Sequence, residues 1–201
     1  MDDFKQTMIA DMFKILSNDK ISKASKEHIL DMYCWILTER IEGNGDKSKN
    51  AKFKGCVYWS KDALKRLNEN IDGKKNYESG LRHEHVVPRS LFRAYVREIF
   101  GENWCNHSID ENIIKSAIDR IYKYFIGCVV TADEAKRLDK DYKDYMPDNI
   151  EFKNISSESL LWSRYIKNHI VVNKIEWKFE KNRWEHKLIK EDILNIKEAK
   201  K

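Results

Sequence analysis

Two histidines and a glutamate lie in one short apolar run, LRHEHVVPRS, which begins at Leu81. Together with Val86 and Val87, Leu81 predicts a short buried strand, and such strands rarely hold ionisable side chains without a reason. Histidine titrates near neutrality and suits general base catalysis, whereas a carboxylate is an oxygen ligand of the kind that Mg²⁺ prefers. The neighbours Glu84 and His85 therefore have the residue types for acid–base chemistry beside a cation. A structural ion pair at a strand end is the alternative.

Strand geometry allows two versions of such a site. In a regular strand Glu84 and His85 face opposite sides, whereas His83 and His85 share one face. Glu84 and His85 reach one site only if the strand ends or twists at that point. Pro88 cannot continue a central ladder, and it favours an ending there. The alternative is a site built on His83 and His85.

A second strand with the sequence FIGCVVT is predicted at residues 125–131. Thr131 ends this strand and can cap a charged helix with the sequence ADEAKRLDKDY. Between the two strands, apolar residues at helical spacing predict one helix from Ser90 and another from about Ile109 to Tyr124.

The flanking parts of the chain differ in predicted structure. Residues 1–70 are predicted to be helical, apart from a strand at 53–59, and two amphipathic helices begin the chain. Residues 158–201 are predicted to hold a helix, a β-hairpin with its turn at EKNR, and a polar terminal helix. We expect Trp177 and Trp184 to form a cross-strand packing pair in this hairpin.

Composition excludes several classes of protein. The chain has 201 residues, of which 41% are apolar, and this is enough for one folded domain. A formal net charge of +5 allows a polyanionic partner without requiring one. The four cysteines are far apart and indicate buried thiols in a reducing compartment. The most apolar segment, ILDMYCWIL, is too short to span a bilayer, so we expect a cytoplasmic protein without membrane contact.

The order of these motifs resembles that of the HNH, or ββα-metal, nuclease superfamily. The resemblance is carried by HEHVVPR at residues 83–89 and by IGCVVTADEAKRL at residues 126–138. With the predicted elements, it implies an α+β, helix-rich single domain over residues 1–201. This domain would be built around a ββα-metal core at about 80–141, with a helical insert at about 90–124.

The resemblance also implies roles for individual residues. His85 would be the general base that deprotonates water, and Glu84 would bind Mg²⁺ or Mn²⁺ together with a ligand from the helix after the second strand. Family members often have histidine or asparagine at the position that Ala135 holds here. We therefore expect Glu134 to be the second metal ligand, with Asp133 as its alternative.

Several further positions stay open as parts of this site. Asp139, further along the same helix, is a reserve ligand, and His83 is the alternative ligand on the first strand. The family's middle asparagine has no clear counterpart directly before the second strand, because Asn106, His107 and Asn112 lie earlier in the chain.

Arginines recur at every fourth position after the motif. Arg89, Arg93 and Arg97 would line one face of the predicted helix, and guanidinium groups suit phosphate oxygens. We expect this stripe to contact the DNA backbone, with Lys136 and Arg137 extending the same track. An ordinary solvated helix face is the alternative.

The resemblance predicts a metal-dependent endonuclease that hydrolyses double-stranded DNA, in prokaryotic restriction or defence. One HNH centre attacks one strand at a time, so a homodimer is the simplest way to cut both strands.

Two other classes remain open. One is a non-cleaving nucleic-acid-binding protein on a degenerate HNH fold, for which Ala135 is the evidence, and the other is an RNA-directed nuclease toxin.

Overall fold

A computed structural model describes residues 3–38, 53, 56–73, 76, 78–101, 104, 109–180 and 183–194 of the protein. The helices are α1 (Asp3–Leu16), α2 (Lys23–Ile36), α3 (Lys61–Asp72), α4 (Arg89–Phe100), α5 (Glu111–Tyr124), α6 (Ala132–Tyr142), α7 (Glu158–Leu161) and α8 (Ser163–Lys167), with 3-10 turns at Pro147–Asn149 and Phe152–Asn154. The strands are β1 (Tyr58–Ser60), β2 (Leu81–His85), β3 (Gly127–Thr131), β4 (Val172–Glu180) and β5 (Arg183–Lys190). None of the described helices is both long enough and apolar enough to cross a membrane.

The five strands form one mixed sheet in the order β2-β3-β1-β4-β5. β1 runs parallel to β3, and the other neighbouring strands are antiparallel. The predicted α+β, helix-rich class is confirmed. Within the strand expected at 53–59, the residues that the structure describes are in strand conformation from Tyr58, and β1 extends to Ser60.

β2, β3 and α6 form a unit of two antiparallel strands followed directly by a helix. The strand pairing extends from Leu81 opposite Thr131 to His85 opposite Gly127. The prediction that Thr131 caps the next helix is confirmed, because its Oγ1 accepts a hydrogen bond of 3.2 Å from the main-chain N–H of Glu134. α6 packs against both strands and so lies beside the end of β2.

Both faces of β3 are covered. Cys128 and Val130 join the main core, which gathers apolar side chains of α1, α2, α4, α5 and α6. Val129 points to the other face and packs with Trp59 and Leu67 in a second core beneath α3. A strand buried on both faces explains why this segment is continuously apolar and does not alternate.

The C-terminal hairpin predicted from alternating residues is confirmed as β4 and β5. Trp177 lies opposite His186 and Trp184 lies opposite Phe179, so the two tryptophans are diagonal neighbours on one face of the hairpin, and their packing against each other stays a prediction. The ring centroids of Trp177 and His186 are 5.4 Å apart. Residues 191–194 are not helical, and the rest of the expected terminal helix lies outside the described residues.

Candidate functional site

A cleft of about 310 Å³ lies at the end of β2. β2 contributes His83, Glu84 and His85 to its wall. The other lining residues come from α2, α4, α6, α8 and the segments beside α4 and α6: Trp35, Pro88, Arg89, Ser90, Arg93, Asp139, Lys143, Asp144 and Arg164. The cleft therefore combines the Glu-His motif with basic groups and with acidic groups from distant parts of the chain.

Glu84 and His85 line the same cleft because β2 ends at His85. Val86 and Val87 then turn the chain toward Pro88, the residue that precedes α4. In a longer regular strand the two side chains would point to opposite faces of the sheet. The expectation that the strand ends at the motif is confirmed, and both side chains line the cleft at this end.

His85 is held as a neutral imidazole. Its Nε2 lies 2.9 Å from the main-chain oxygen of Cys34. Because a carbonyl oxygen only accepts, Nε2 carries the proton and Nδ1 keeps a lone pair. Burial lowers the pKa of His85 to about 3, and the neighbouring His83 is the next largest cause. His85 is therefore uncharged at neutral pH and can accept a proton at Nδ1.

His83 is tied to the backbone beside His85. Its Nε2 lies 3.2 Å from the main-chain oxygen of Thr38, just beyond the end of α2, and its ring centroid is 5.5 Å from that of His85. A side chain at Gly127 would collide with the His83 ring and with the Thr38 oxygen. Glycine at this position therefore makes room for His83. The structure does bring His83 and His85 together, as the alternative site requires.

Glu84 and Asp139 are carboxylates of the same cleft, on β2 and α6 respectively. Burial raises the pKa of Glu84 to about 7, and the negative charge of Asp139 is the next largest cause. The positive charges of Arg164, Arg89 and Arg82 oppose this shift. A divalent cation between the two acidic groups would relieve their repulsion. Asp139, only a reserve in the sequence, is the α6 carboxylate that lines the cleft with Glu84.

The structure does not place Glu134 in the cleft. Its Oε2 accepts hydrogen bonds from the Ser60 hydroxyl at 2.6 Å and from the Thr131 main-chain N–H at 2.7 Å. These contacts complete a capping box at the start of α6 and reach the residue that caps α3. The position of Glu134 therefore does not support its expected role as a metal ligand, because its carboxylate, in a residue only 3% exposed, binds two helix starts.

The outer face of α6 carries three residues that the sequence proposed for the site. Asp133 is exposed and pairs with Lys136 at 3.3 Å, and neither residue lines the cleft. Arg137 is also exposed and lies outside the cleft wall. The position of Asp133 therefore does not support its expected role as the alternative metal ligand. Contact of Lys136 and Arg137 with DNA stays a prediction.

The arginine stripe of α4 faces α2. Arg97 donates to both carboxylate oxygens of Glu27, at 2.9 Å from Nε and 2.6 Å from Nη2. Arg93 donates to Glu27 at 3.2 Å and to Asp31 at 3.4 Å. The ion pairs of Arg93 and Arg97 do not support their expected contact with the DNA backbone, because their guanidinium groups join two helices of the protein.

Arg89 is the first residue of the stripe and borders the cleft directly beside the motif. Its Nη1 lies 3.6 Å from Oδ1 of Asp31, and its guanidinium carbon is 4.6 Å from the centroid of the Trp35 ring. Its side chain is 40% exposed. Of the three arginines, Arg89 is the one best placed to meet a ligand at the cleft entrance. Arg93 also lines the cleft but is paired with α2.

Arg164 is a cleft residue that the sequence reasoning missed. It is 2% exposed, and its Nη1 donates a hydrogen bond of 3.0 Å to the main-chain oxygen of His85. Burial lowers the pKa of its guanidinium. The available signal was an arginine between Trp162 and Tyr165 in the segment WSRYIKN. Aromatic neighbours on a short helix indicate burial, and a buried arginine needs partners.

The donor set of the cleft fits a hard divalent cation that uses few protein ligands. Among the described residues, no group of three or more histidines, cysteines, aspartates or glutamates could hold a metal ion. Mg²⁺ is commonly bound through one or two carboxylates, with water and phosphate oxygens as its remaining ligands. Glu84 and Asp139 could supply these two carboxylates.

Comparison of the chain with protein-family models, with curated proteins and with solved structures found no match.

Proposed function

We propose that the protein is a metal-dependent endonuclease of the HNH type, which hydrolyses DNA phosphodiester bonds in the cleft at the end of β2. The observation that carries the proposal is the meeting of Glu84, His85 and Asp139 in one cleft. The succession of two antiparallel strands and a helix supports it as well. The sequence resemblance adds a role in restriction or defence.

His85 is the general base in this proposal. Its Nε2–H is bound to the oxygen of Cys34, so Nδ1 is the nitrogen that takes the proton from the attacking water. Its low pKa keeps the imidazole unprotonated before substrate binds. A phosphodiester in the cleft brings negative charge beside the ring, which raises its affinity for a proton during the reaction.

Glu84 and Asp139 hold the cation, Mg²⁺ or Mn²⁺. When bound, the cation supplies Lewis-acid stabilisation of the negative charge that develops on phosphate and leaving-group oxygens. Arg89 at the entrance positions the DNA backbone through a charge-assisted hydrogen bond. Trp35 packs edge-on against the His85 ring, with the two ring centroids 5.0 Å apart, and so limits the orientations of that ring.

Nicking of a supercoiled plasmid tests this function. Wild-type protein should nick DNA with Mg²⁺ or Mn²⁺ and should lose this activity with a chelator. His85→Ala should abolish nicking while DNA affinity stays nearly unchanged, because a base acts on the transition state. His28→Ala, which changes an exposed histidine of α2, is the matched control and should retain activity.

Circular dichroism should accompany the assay, because His85 is buried and its removal could disturb folding. Asp139→Asn, which changes an exposed side chain of the cleft, gives an independent loss of activity in a folded protein. Cation-independent nicking, or equal nicking by wild type and His85→Ala, would contradict the proposal.

A parallel RNA substrate separates the remaining classes. Cleavage of RNA but not of DNA would show that RNA is the substrate. DNA binding without cleavage of either polymer would favour the non-cleaving alternative. That alternative has one observation in its favour, since Ala135 is buried against the main core at the position where HNH nucleases, which the sequence resembles, often carry histidine or asparagine.

A further inference from the structure

We propose that Arg164 is an anion-binding residue in the wall of the cleft and that it holds a phosphate oxygen of the substrate. The identity of this anion as a phosphodiester rests on the proposed function. Binding of a phosphate group by Arg164 can be measured without any cleavage.

The hydrogen bonds of Arg164 are incomplete for so deeply buried a cation. A guanidinium has five N–H donors. In Arg164, which is 2% exposed, Nη1 donates to the oxygen of His85, and the buried Nε has no partner within the part of the chain that the structure describes. A buried charged group is costly unless acceptors surround it. The arrangement therefore lacks an acceptor that a ligand could provide.

No protein carboxylate neutralises Arg164 directly. Glu84, Asp139 and Asp144 affect its pKa, but among the described residues no acidic side chain lies within salt-bridge distance of it. Arg97, in contrast, makes two hydrogen bonds to one carboxylate although it is far more exposed. Arg164 is therefore a buried cation that the folded protein has not paired.

The position of Arg164 suits an anion that reacts next to His85. Its bond to the His85 oxygen fixes the guanidinium to the backbone of the general base, at the point where β2 ends. The planar guanidinium can offer parallel N–H groups to two oxygens of one phosphate. A phosphate held by Arg164 would lie in the same cleft as His85, Glu84 and Asp139. Arg164 would thus set the position of the phosphorus relative to the attacking water.

Titration of the metal-free protein with inorganic phosphate, in a chelating buffer, tests this inference. The readout is the NMR signal of each arginine Nε–H, and the Arg164 signal is assigned by its absence in Arg164→Lys. Phosphate should shift the Arg164 signal in wild-type protein, whereas acetate at equal ionic strength should shift it little. Arg164→Gln should weaken phosphate binding by about tenfold or more, because a charge-assisted hydrogen bond is lost.

Arg120→Gln is the matched control. Arg120 is half-buried and also donates from Nη1 to a main-chain oxygen, that of Ile155 at 2.9 Å, but it lies outside the cleft wall. This variant should bind phosphate like wild type. Arg164→Lys keeps the charge without the planar fork, and its affinity should lie between those of wild type and Arg164→Gln.

Two results would overturn the inference. One is an Arg164 signal that phosphate leaves unchanged in wild-type protein, and this measurement needs only the conservative Arg164→Lys variant to fold, for the assignment. The other is folded Arg164→Gln protein with the phosphate affinity of wild type. A wild-type protein that binds phosphate through Arg164 but does not cleave DNA would support the inference and contradict only the proposed function.

Discussion

Glu84 and Asp139 come from different elements, β2 and α6, yet their side chains line one cleft. The charge of Asp139, after burial, is the largest cause that raises the pKa of Glu84 to about 7. The ionised form of Glu84 is therefore less favourable beside Asp139. A site of this kind gains from a divalent cation, and its second acidic residue is Asp139.

Asp139→Asn should weaken Mn²⁺ binding and reduce nicking by on the order of a hundredfold, because one of two proposed carboxylate ligands is lost. Glu84→Gln should have a similar effect. The double variant should be little worse than either single variant, since residues that act as one unit are not additive. Calorimetric titration with Mn²⁺ and the nicking assay measure these effects.

Asp133→Asn is the control for that prediction. Asp133 is an exposed acidic residue of the same helix, but it faces Lys136 and lies outside the cleft. It should retain the metal affinity and the nicking rate of wild type. Loss of nicking in Asp133→Asn, together with full activity in Asp139→Asn, would place the metal ligand on the outer face of α6. It would contradict the proposed pair of Glu84 and Asp139.

Glu84 and His85 should contribute opposite pH dependences to stability. The pKa of Glu84 rises from 4.5 to about 7, so the folded protein holds the extra proton between these values and the stabilising contribution is lost as pH rises. The pKa of His85 falls from 6.5 to about 3, so the unfolded protein holds the extra proton and stability is lost as pH falls. Between about pH 4.5 and 6.5 the two contributions oppose each other.

Glu84→Gln should therefore make the free energy of unfolding increase more steeply with pH between about pH 5 and 6.5. The change in slope relative to wild type should approach about 1.4 kcal/mol per pH unit. His85→Gln, which keeps a donor for the Cys34 oxygen, should change the slope in the opposite direction. Urea unfolding in the presence of a chelator measures both slopes, and identical slopes in all three proteins would rule out the opposed shifts.

Local patterns in the sequence predicted much of the fold. Thr131 was recognisable as a helix cap, because its hydroxyl follows a β-branched strand and precedes a charged helical segment. The end of β2 could be expected from Pro88. The C-terminal hairpin followed from alternating residues on either side of a polar turn, and Glu180 and Arg183 of that turn segment pair with each other. These features depend on neighbours in the chain, which a sequence displays directly.

The site was harder to predict because it depends on contacts between distant segments. The spacing of Arg93 and Arg97 predicted that they share one face of a helix, but it did not predict their partners. These partners are Glu27 and Asp31 of α2, which lie far from α4 in the sequence. The place of Asp139 beside Glu84 could not be predicted without knowing how α6 packs on β2. For Glu134 the sequence did contain the relevant signal, since threonine followed three residues later by glutamate is a capping-box pattern.

Arg97→Gln should lower the free energy of unfolding by about 1 kcal/mol, because Arg97 and Glu27 form a two-point contact between α4 and α2 that is only partly screened by solvent. It should leave the salt dependence of DNA binding unchanged. Urea unfolding and DNA titration at several salt concentrations measure the two effects. Arg89→Gln is the comparison, and it should reduce the salt slope by about one.

A double-mutant cycle identifies the contact itself. Glu27→Gln should destabilise the protein by a similar amount, and Arg97→Gln should add little to it, since both substitutions remove the same interaction. Additive losses of unfolding free energy, or a smaller salt dependence of DNA binding in Arg97→Gln, would instead indicate that Arg97 contacts DNA.

Glu134→Gln should destabilise the protein without affecting metal binding. The carboxylate of Glu134 accepts hydrogen bonds from Ser60 and Thr131 and so joins the starts of α3 and α6. Glutamine can keep an oxygen at the position of Oε2, but replacing the charged acceptor by a neutral amide weakens three hydrogen bonds and should cost about 1 to 3 kcal/mol of unfolding free energy. Urea unfolding measures this loss, and titration with Mn²⁺ should give the wild-type affinity.

Ser60→Ala tests whether that loss arises from the link between the two helices. Ser60 caps α3 through its hydroxyl, which accepts from the N–H of Ala63 at 3.0 Å and donates to Glu134. Its removal should cost about 1 kcal/mol as a lost cap, together with the lost bond to Glu134. In the double variant the shared bond is lost only once, so the two costs should sum to more than the measured total. A fall in Mn²⁺ affinity in Glu134→Gln, with unfolding unchanged, would instead restore Glu134 as a metal ligand.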